Sequence, residues 1–196
     1  MSTRFFNLHA ARFVVAVGCA LTAASCGGDL MRTGRAPVIL VIDSMAAGQP
    51  PVNPVLSDVG PTVFNDVGVA QIRAIAKDQI SPGVITTPLN DVTLTRYRVS
   101  FRRADGRNTP GVDVPFSFDG GLSRTIGVGG SEDVNFDLVR HAAKLEPPLR
   151  SLNNLGGQVL ISTVAEVTFF GRDQNGNEVS VTGLLDVTFG DFPDAP

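Results

Sequence analysis

Between residues 159 and 189 apolar side chains recur at every second position, interrupted once by a polar turn. Val159, Ile161, Thr163, Ala165, Val167 and Phe169 share one face, and Val179, Val181, Gly183, Leu185, Val187 and Phe189 share another. Successive strand side chains point to opposite faces, so a period of two builds a sheet with one buried side. A helix would repeat its apolar positions every three or four residues instead. Residues 171–178 separate the two runs and carry Asn175-Gly176 near their middle. That pair tolerates positive φ at two successive positions, so a type I′ hairpin is expected there.

The rest of the chain follows the same logic. Residues 92–102 place Thr93, Thr95, Tyr97, Val99 and Phe101 on one face. Arg96, Arg98, Ser100 and Arg102 fall on the other, which predicts a half-buried antiparallel strand. Residues 37–43 form a continuous aliphatic run and are expected as a strand buried on both faces. Pro50, Pro51, Pro54 and Pro61 make residues 44–62 a loop or an edge, because proline cannot donate to a sheet ladder. Residues 69–78 read as a strand, with a short helix as the alternative, and 81–90 as a loop. Asp105-Gly106 signals a turn that 107–111 prolong. Alternation then predicts strands through Val112, Val114, Phe116 and Phe118, through Leu122, Arg124, Ile126 and Val128, and through Val134, Phe136 and Leu138. Residues 140–152 break the pattern with Ala142, Ala143 and Pro147-Pro148, and predict one or two helical turns crossing the end of the sheets.

Short strands at regular spacing add up to an all-β fold, an antiparallel β-sandwich of about eight or nine strands. The final hairpin and the crossover before it resemble the last strands of immunoglobulin-like or fibronectin-type-III-like modules. The resemblance implies an immunoglobulin-like sandwich. It departs from true immunoglobulin domains in lacking their Cys…Trp…Cys core, since the chain has no tryptophan.

The start of the chain is of another kind. Residues 1–12 carry Arg4 and Arg12 and no acid; 13–21 are apolar; Thr22-Ala23-Ala24-Ser25 are small and precede Cys26. A positive start, a short apolar core and a small-residue zone are the parts of a secretory signal. The apolar run is about half the roughly 20 residues that span a bilayer as a helix. Residues 21–26 resemble the lipobox of bacterial lipoproteins, with Ala23 where leucine is commonest. The resemblance implies removal of a 1–25 signal peptide and acylation of Cys26, with palmitate-type chains on its sulfur and on the new N-terminus. Cys19 also follows small residues, but only six residues would separate it from Arg12, short of the usual apolar length. Residues 26–36 would then form a flexible tether and 37–196 a single domain. Gly27 after the cysteine implies the outer membrane if the source is Gram-negative. Two or more acyl chains give stable anchoring where one does not.

Loss of the leader leaves 14 basic against 19 acidic residues, a balance of −5. That excludes a nucleic-acid binder relying on clustered positive charge. Cys19 would leave with the leader and Cys26 would be acylated, so no thiol remains for a disulfide or a metal. His141 is the one histidine outside the leader, too few for a zinc site. No Gly-x-Ser-x-Gly elbow is present, and the glycines of 127–130 lack the lysine of a phosphate loop. Asp173, Asn175 and Asn177 mimic the opening of a calcium loop, but position twelve is Leu184 rather than glutamate, and a polar hairpin turn is the expected reading. Arg96, Arg98, Arg102, Arg103 and Arg107 could offer a small anionic-ligand surface, although a solvated sheet face is expected.

No catalytic residue, cofactor or metal site is therefore expected. The function expected is that of a membrane-tethered envelope lipoprotein with a non-enzymatic binding or structural domain. Its partners would be the membrane, through lipid on Cys26, and a protein or glycan in the envelope. Loops 44–62, 81–90 and 103–111, expected at one end of the sandwich, would be its contact surface. The alternatives are an envelope hydrolase using paired carboxylates and a carbohydrate-binding accessory. Tyr97 as the only tyrosine argues against the latter, because sugar sites usually stack rings of tryptophan or tyrosine.

Overall fold

A computed structural model describes residues 35–48, 51–60, 64–77 and 87–192. The leader, Cys19, Cys26 and most of the expected tether lie outside these residues, as do 81–86 of the loop expected at 81–90. Eight strands form: β1 (Val38–Ala47), β2 (Val55–Asp58), β3 (Asp66–Ala76), β4 (Val92–Arg102), β5 (Phe118–Ile126), β6 (Ser131–Val139), β7 (Ile161–Asp173) and β8 (Glu178–Gly190). A single helical turn, α1 (His141–Lys144), and a 3₁₀ turn at Leu149–Leu152 make the crossover between β6 and β7. The strands assemble into a three-stranded sheet, β1-β3-β6, and a five-stranded sheet, β2-β8-β7-β4-β5. All pairings are antiparallel except β2 with β8, which is parallel. The chain is an all-β sandwich, as its periodicity indicates.

The β7–β8 hairpin follows the sequence pattern closely. Ile161, Thr163, Ala165, Val167 and Phe169 are buried, and Leu185, Val187 and Phe189 face them across the core. Fully burying a side chain of this size contributes about 1.5–3 kcal/mol. The turn differs from the expectation. β7 runs to Asp173, only Gly176 takes positive φ (83°), and the Gly176 N–H bonds to the Asp173 carbonyl at 3.0 Å. This is a type I turn closed by a left-handed glycine, because Asp173 caps it. Its carboxylate accepts the backbone N–H groups of Asn175 and Asn177 and the Asn177 amide, at 2.8–2.9 Å. Three local donors favour this turn over type I′.

Three other expectations are corrected. In β4 the inward residues are Val92 and Leu94, then Tyr97, Val99 and Phe101. Thr95 is the extra residue of a bulge between Leu94 and Arg96, so Thr93 and Thr95 face outward. The opposing Gly171 allows this close approach, since a side chain there would meet the Thr93 carbonyl and Leu94. β1 is an edge strand rather than one buried on both faces: Val38 and Leu40 point inward and Ile39 outward. Residues 112–116 form no strand. Val114 alone is buried there, Val112 and Phe116 are exposed, and β5 begins at Phe118.

The strand registers define two ends. Val38, Ala76, Val92, Ile126, Ser131 and Asp173 lie at the end where the chain joins the sandwich. Ala47, Asp66, Arg102, Val139, Ile161 and Gly190 lie at the other. The compact unit begins at Ala36.

Candidate functional site

The far end of the sandwich gathers the long connections 48–54, 103–117 and 140–160, together with the start of β3. Nine of the thirteen large apolar side chains that the described residues expose lie there. Among them Phe64 is 79% exposed, more than any other. The expected grouping of loops is corrected in one respect. The 3₁₀ turn at Pro88–Asn90 sits at the opposite end, where the Asn175 amide bonds to the Leu89 carbonyl at 3.3 Å. It follows β3 across to the five-stranded sheet, so it cannot share a surface with 103–111.

A buried polar cluster holds the far end together. Asp66, the first residue of β3, takes the Ser57 hydroxyl at 2.5 Å on one oxygen and the Lys144 ammonium at 3.0 Å on the other. Ser57 and Lys144 are 0% and 3% exposed. The cluster joins β2 of one sheet, β3 of the other and α1. Beside it Asn65 spans two segments: its oxygen accepts the His141 N–H at 2.8 Å and its amide donates to Asp137 at 3.3 Å. His141 opens α1, and its N–H is one of the orphan donors that a helix start leaves. The His141 ring is exposed. Ser57 is sealed from solvent, so its hydroxyl meets no substrate.

Outside this cluster, on the outward face of the three-stranded sheet, lies a groove of about 860 Å³. Val67 and Val69 of β3 form its floor and Pro51 and Phe64 its walls. Asn65, Asp66 and Asn135 supply its polar atoms. Gly48 (φ 88°) leaves the rim open, and its N–H bonds to the Val67 carbonyl at 3.1 Å. Sequence reading missed this site because it began the strand at Val69 and took 44–62 as loop or edge only. The run Phe64–Val69 breaks its alternation at Gly68, which faces inward against the Phe136 ring.

The arginines singled out in the sequence are placed apart from the groove and are paired. Arg96 and Arg98 share Asp119 at 2.7 and 3.9 Å, and Arg102 meets Glu166 at 3.1 Å. Arg96 also lies over the Phe170 ring, 4.0 Å from its centre. Arg103 and Arg107 both bind Asp105, at 2.7 and 2.9 Å, and hold its carboxyl far below the usual carboxylate range. These pairs neutralise the surface that an anionic ligand would need. They make a solvated sheet face, continued by the hydroxyl pairs Thr168–Thr182 and Ser162–Thr188. Asp173, the first of the calcium-like triplet, spends both carboxylate oxygens on its own turn.

Carboxylates near one another at the far end also serve loops. Asp58 accepts the N–H groups of Gly60 and Phe192, at 2.9 and 3.1 Å, and Asp191 accepts that of Gly156 at 3.0 Å. No protein-family model matches the chain, and no curated protein matches it.

Proposed function

We propose that the protein is an exported lipoprotein, cut before Cys26 and anchored through acyl chains on that residue, that presents a non-enzymatic β-sandwich to a partner in the cell envelope. One observation carries the binding reading. The chain joins the sandwich at Val38, while the long connections and most exposed apolar side chains sit at the opposite end. A tether at the first end would direct the second away from the membrane. Rigid scaffolds that display loops at one end are the usual arrangement for recognition.

The strand order supports an immunoglobulin-like assignment. β1-β3-β6 corresponds to strands A-B-E of that fold, and β8-β7-β4-β5 to G-F-C-C′, with β2 as a short additional strand. The buried Tyr97 occupies the strand that carries the core tryptophan in antibody domains. Fold alone assigns no activity. The polar clusters of the described residues each have a structural task, which supports binding over hydrolysis.

Metabolic labelling with palmitate, followed by membrane fractionation, tests the reading. The wild-type chain takes up label and sediments with membranes, and Cys26→Ser abolishes both. Label retained by Cys26→Ser, or none in the wild type, contradicts it.

A further inference from the structure

We propose that the groove over β3 seats an uncharged, apolar peptide segment of the partner, in extended form. This rests on the binding reading above and names the chemistry of its ligand.

Three observations converge. First, the groove presents no free charge. Asp66 is its one ionisable lining residue, and Lys144 and Ser57 already occupy both of its oxygens. A charged ligand would lose water without gaining a counter-ion, and such desolvation is costly. Second, its spacing fits a strand. Val67 and Val69 stand two residues apart on β3, so their side chains repeat at about 6.5–7 Å, the interval between alternate side chains of an extended chain. Phe64 and Pro51 rise beside them, and Gly48 adds no side chain at the rim. Third, one polar group there is unspent. Asn135 lies opposite Val69 on β6, is exposed, and its amide has no hydrogen-bond partner among the described residues. An amide offers one acceptor and two donors, the complement of a peptide group. Asn65, by contrast, is committed to His141 and Asp137.

The same observations argue against the other occupants. A lipid headgroup or an acidic glycan needs a cation, and the groove offers none. A neutral glycan is usually held by several free polar groups around a stacking ring, whereas Asn135 is the one free amide beside Phe64. An apolar segment buries the exposed valines and the phenylalanine, and its backbone meets Asn135.

The test uses the full chain, purified from membranes and held in nanodiscs, with fluorescence anisotropy of labelled probes. The probes are a capped heptapeptide alternating valine and serine, the same peptide with lysine or aspartate in place of serine, and maltoheptaose. Empty nanodiscs are the control. The neutral peptide binds saturably, Phe64→Ala weakens it about tenfold, and Asn135→Ala weakens it less. Both substituted side chains are exposed, so the fold persists, and an unchanged melting curve verifies this. Leu184→Ala, on the other sheet's outer face, leaves binding unchanged. Absence of saturable binding by the neutral peptide overturns the proposal. So does equal affinity in Phe64→Ala, tighter binding of a charged peptide, or preference for the glycan. None of these outcomes touches the palmitate result, and loss of that label would leave the peptide affinities as they stand.

Discussion

The Tyr97 hydroxyl accepts the Asp137 N–H at 3.0 Å, and this bond crosses from the five-stranded sheet to the three-stranded one. The donor is free because β6 meets a bulge in β3, where Asp66 pairs with Val139 but Val67 with Asp137. Packed sheets lie about 10 Å apart, a gap that a tyrosine reaching from one side can bridge. Its ring packs against Phe118, Phe136 and Phe169 with centres 5.8–6.3 Å away.

Tyr97→Phe keeps that packing and leaves the Asp137 N–H without a partner. The expected loss is about 1–3 kcal/mol, or roughly 2–4 °C in Tm per kcal/mol for a domain of this size. Thermal unfolding followed by circular dichroism measures it. A shift below one degree would show that water replaces the hydroxyl.

The same residue sets an alkaline limit. Burial pushes the Tyr97 hydroxyl above its ordinary pKa, and the neighbouring Asp137 charge adds to this, while the Asp137 N–H and Arg140 oppose it. Between the ordinary value of about 10 and the folded one, the unfolded chain releases the proton first. Stability is therefore full below about pH 10 and falls as pH rises through the folded value. Tyr97 is the only tyrosine, so phenolate absorbance reports it directly. Tyr97→Phe should flatten the loss of stability above pH 10.

Neighbouring glycines provide a sharp contrast. A Cβ at Gly120 would overlap the Tyr97 ring, whereas one at Gly121 would meet nothing within 4 Å. Gly120→Ala should destabilise by about 1–3 kcal/mol, and Gly121→Ala by no more than about 0.5 kcal/mol. Urea unfolding of the two variants compares them; equal values would remove the steric account.

These relations also mark what the sequence disclosed. Val167, Phe169, Leu185 and Val187 were legible as core because alternation on a strand is a local property. The bulge at Thr95 was not, because it depends on Gly171 in another strand. Val112, Val114 and Phe116 alternate as a strand would, yet no neighbour pairs with them beyond the bridge of Val114 to Pro110. The short β2 lay within a proline-rich stretch where an edge was allowed, but its parallel partner β8 is over 130 residues away. Asp66 and Lys144, 78 residues apart, gave no joint signal. The groove was hidden for the same reason: its floor, walls and free amide come from separate segments.

The Ser57–Asp66–Lys144 cluster should behave as a unit. Lys144→Ala leaves the Asp66 carboxylate short of its main partner. Asp66 keeps a side-chain exposure of 20%, so the cost should lie at the lower end of the 3–5 kcal/mol typical of breaking a buried pair, about 3 kcal/mol. Replacing both, as Lys144→Met with Asp66→Leu, should recover most of it. A double-mutant cycle by urea unfolding measures the coupling, and strict additivity would show that the two groups do not depend on each other.

Exposed pairs should matter little. Arg96→Ala and Arg98→Ala should each change stability by less than about 1 kcal/mol. The Asp105 loop should keep its contacts through mild acid. Arg103 and Arg107 depress the Asp105 pKa, so the stabilisation is present above the ordinary value and disappears as pH falls through the folded one. Amide shifts of Arg107, whose N–H bonds to Asp105 at 3.1 Å, follow this; a transition near pH 4 would contradict it.

The anchoring of the chain is tested most directly by the intact mass of the protein extracted from its native membranes. The account predicts a polypeptide that starts at Cys26 and carries the added mass of acyl chains on that residue. A polypeptide that still begins at Met1, or one that starts at Cys26 with no acyl mass, would contradict it.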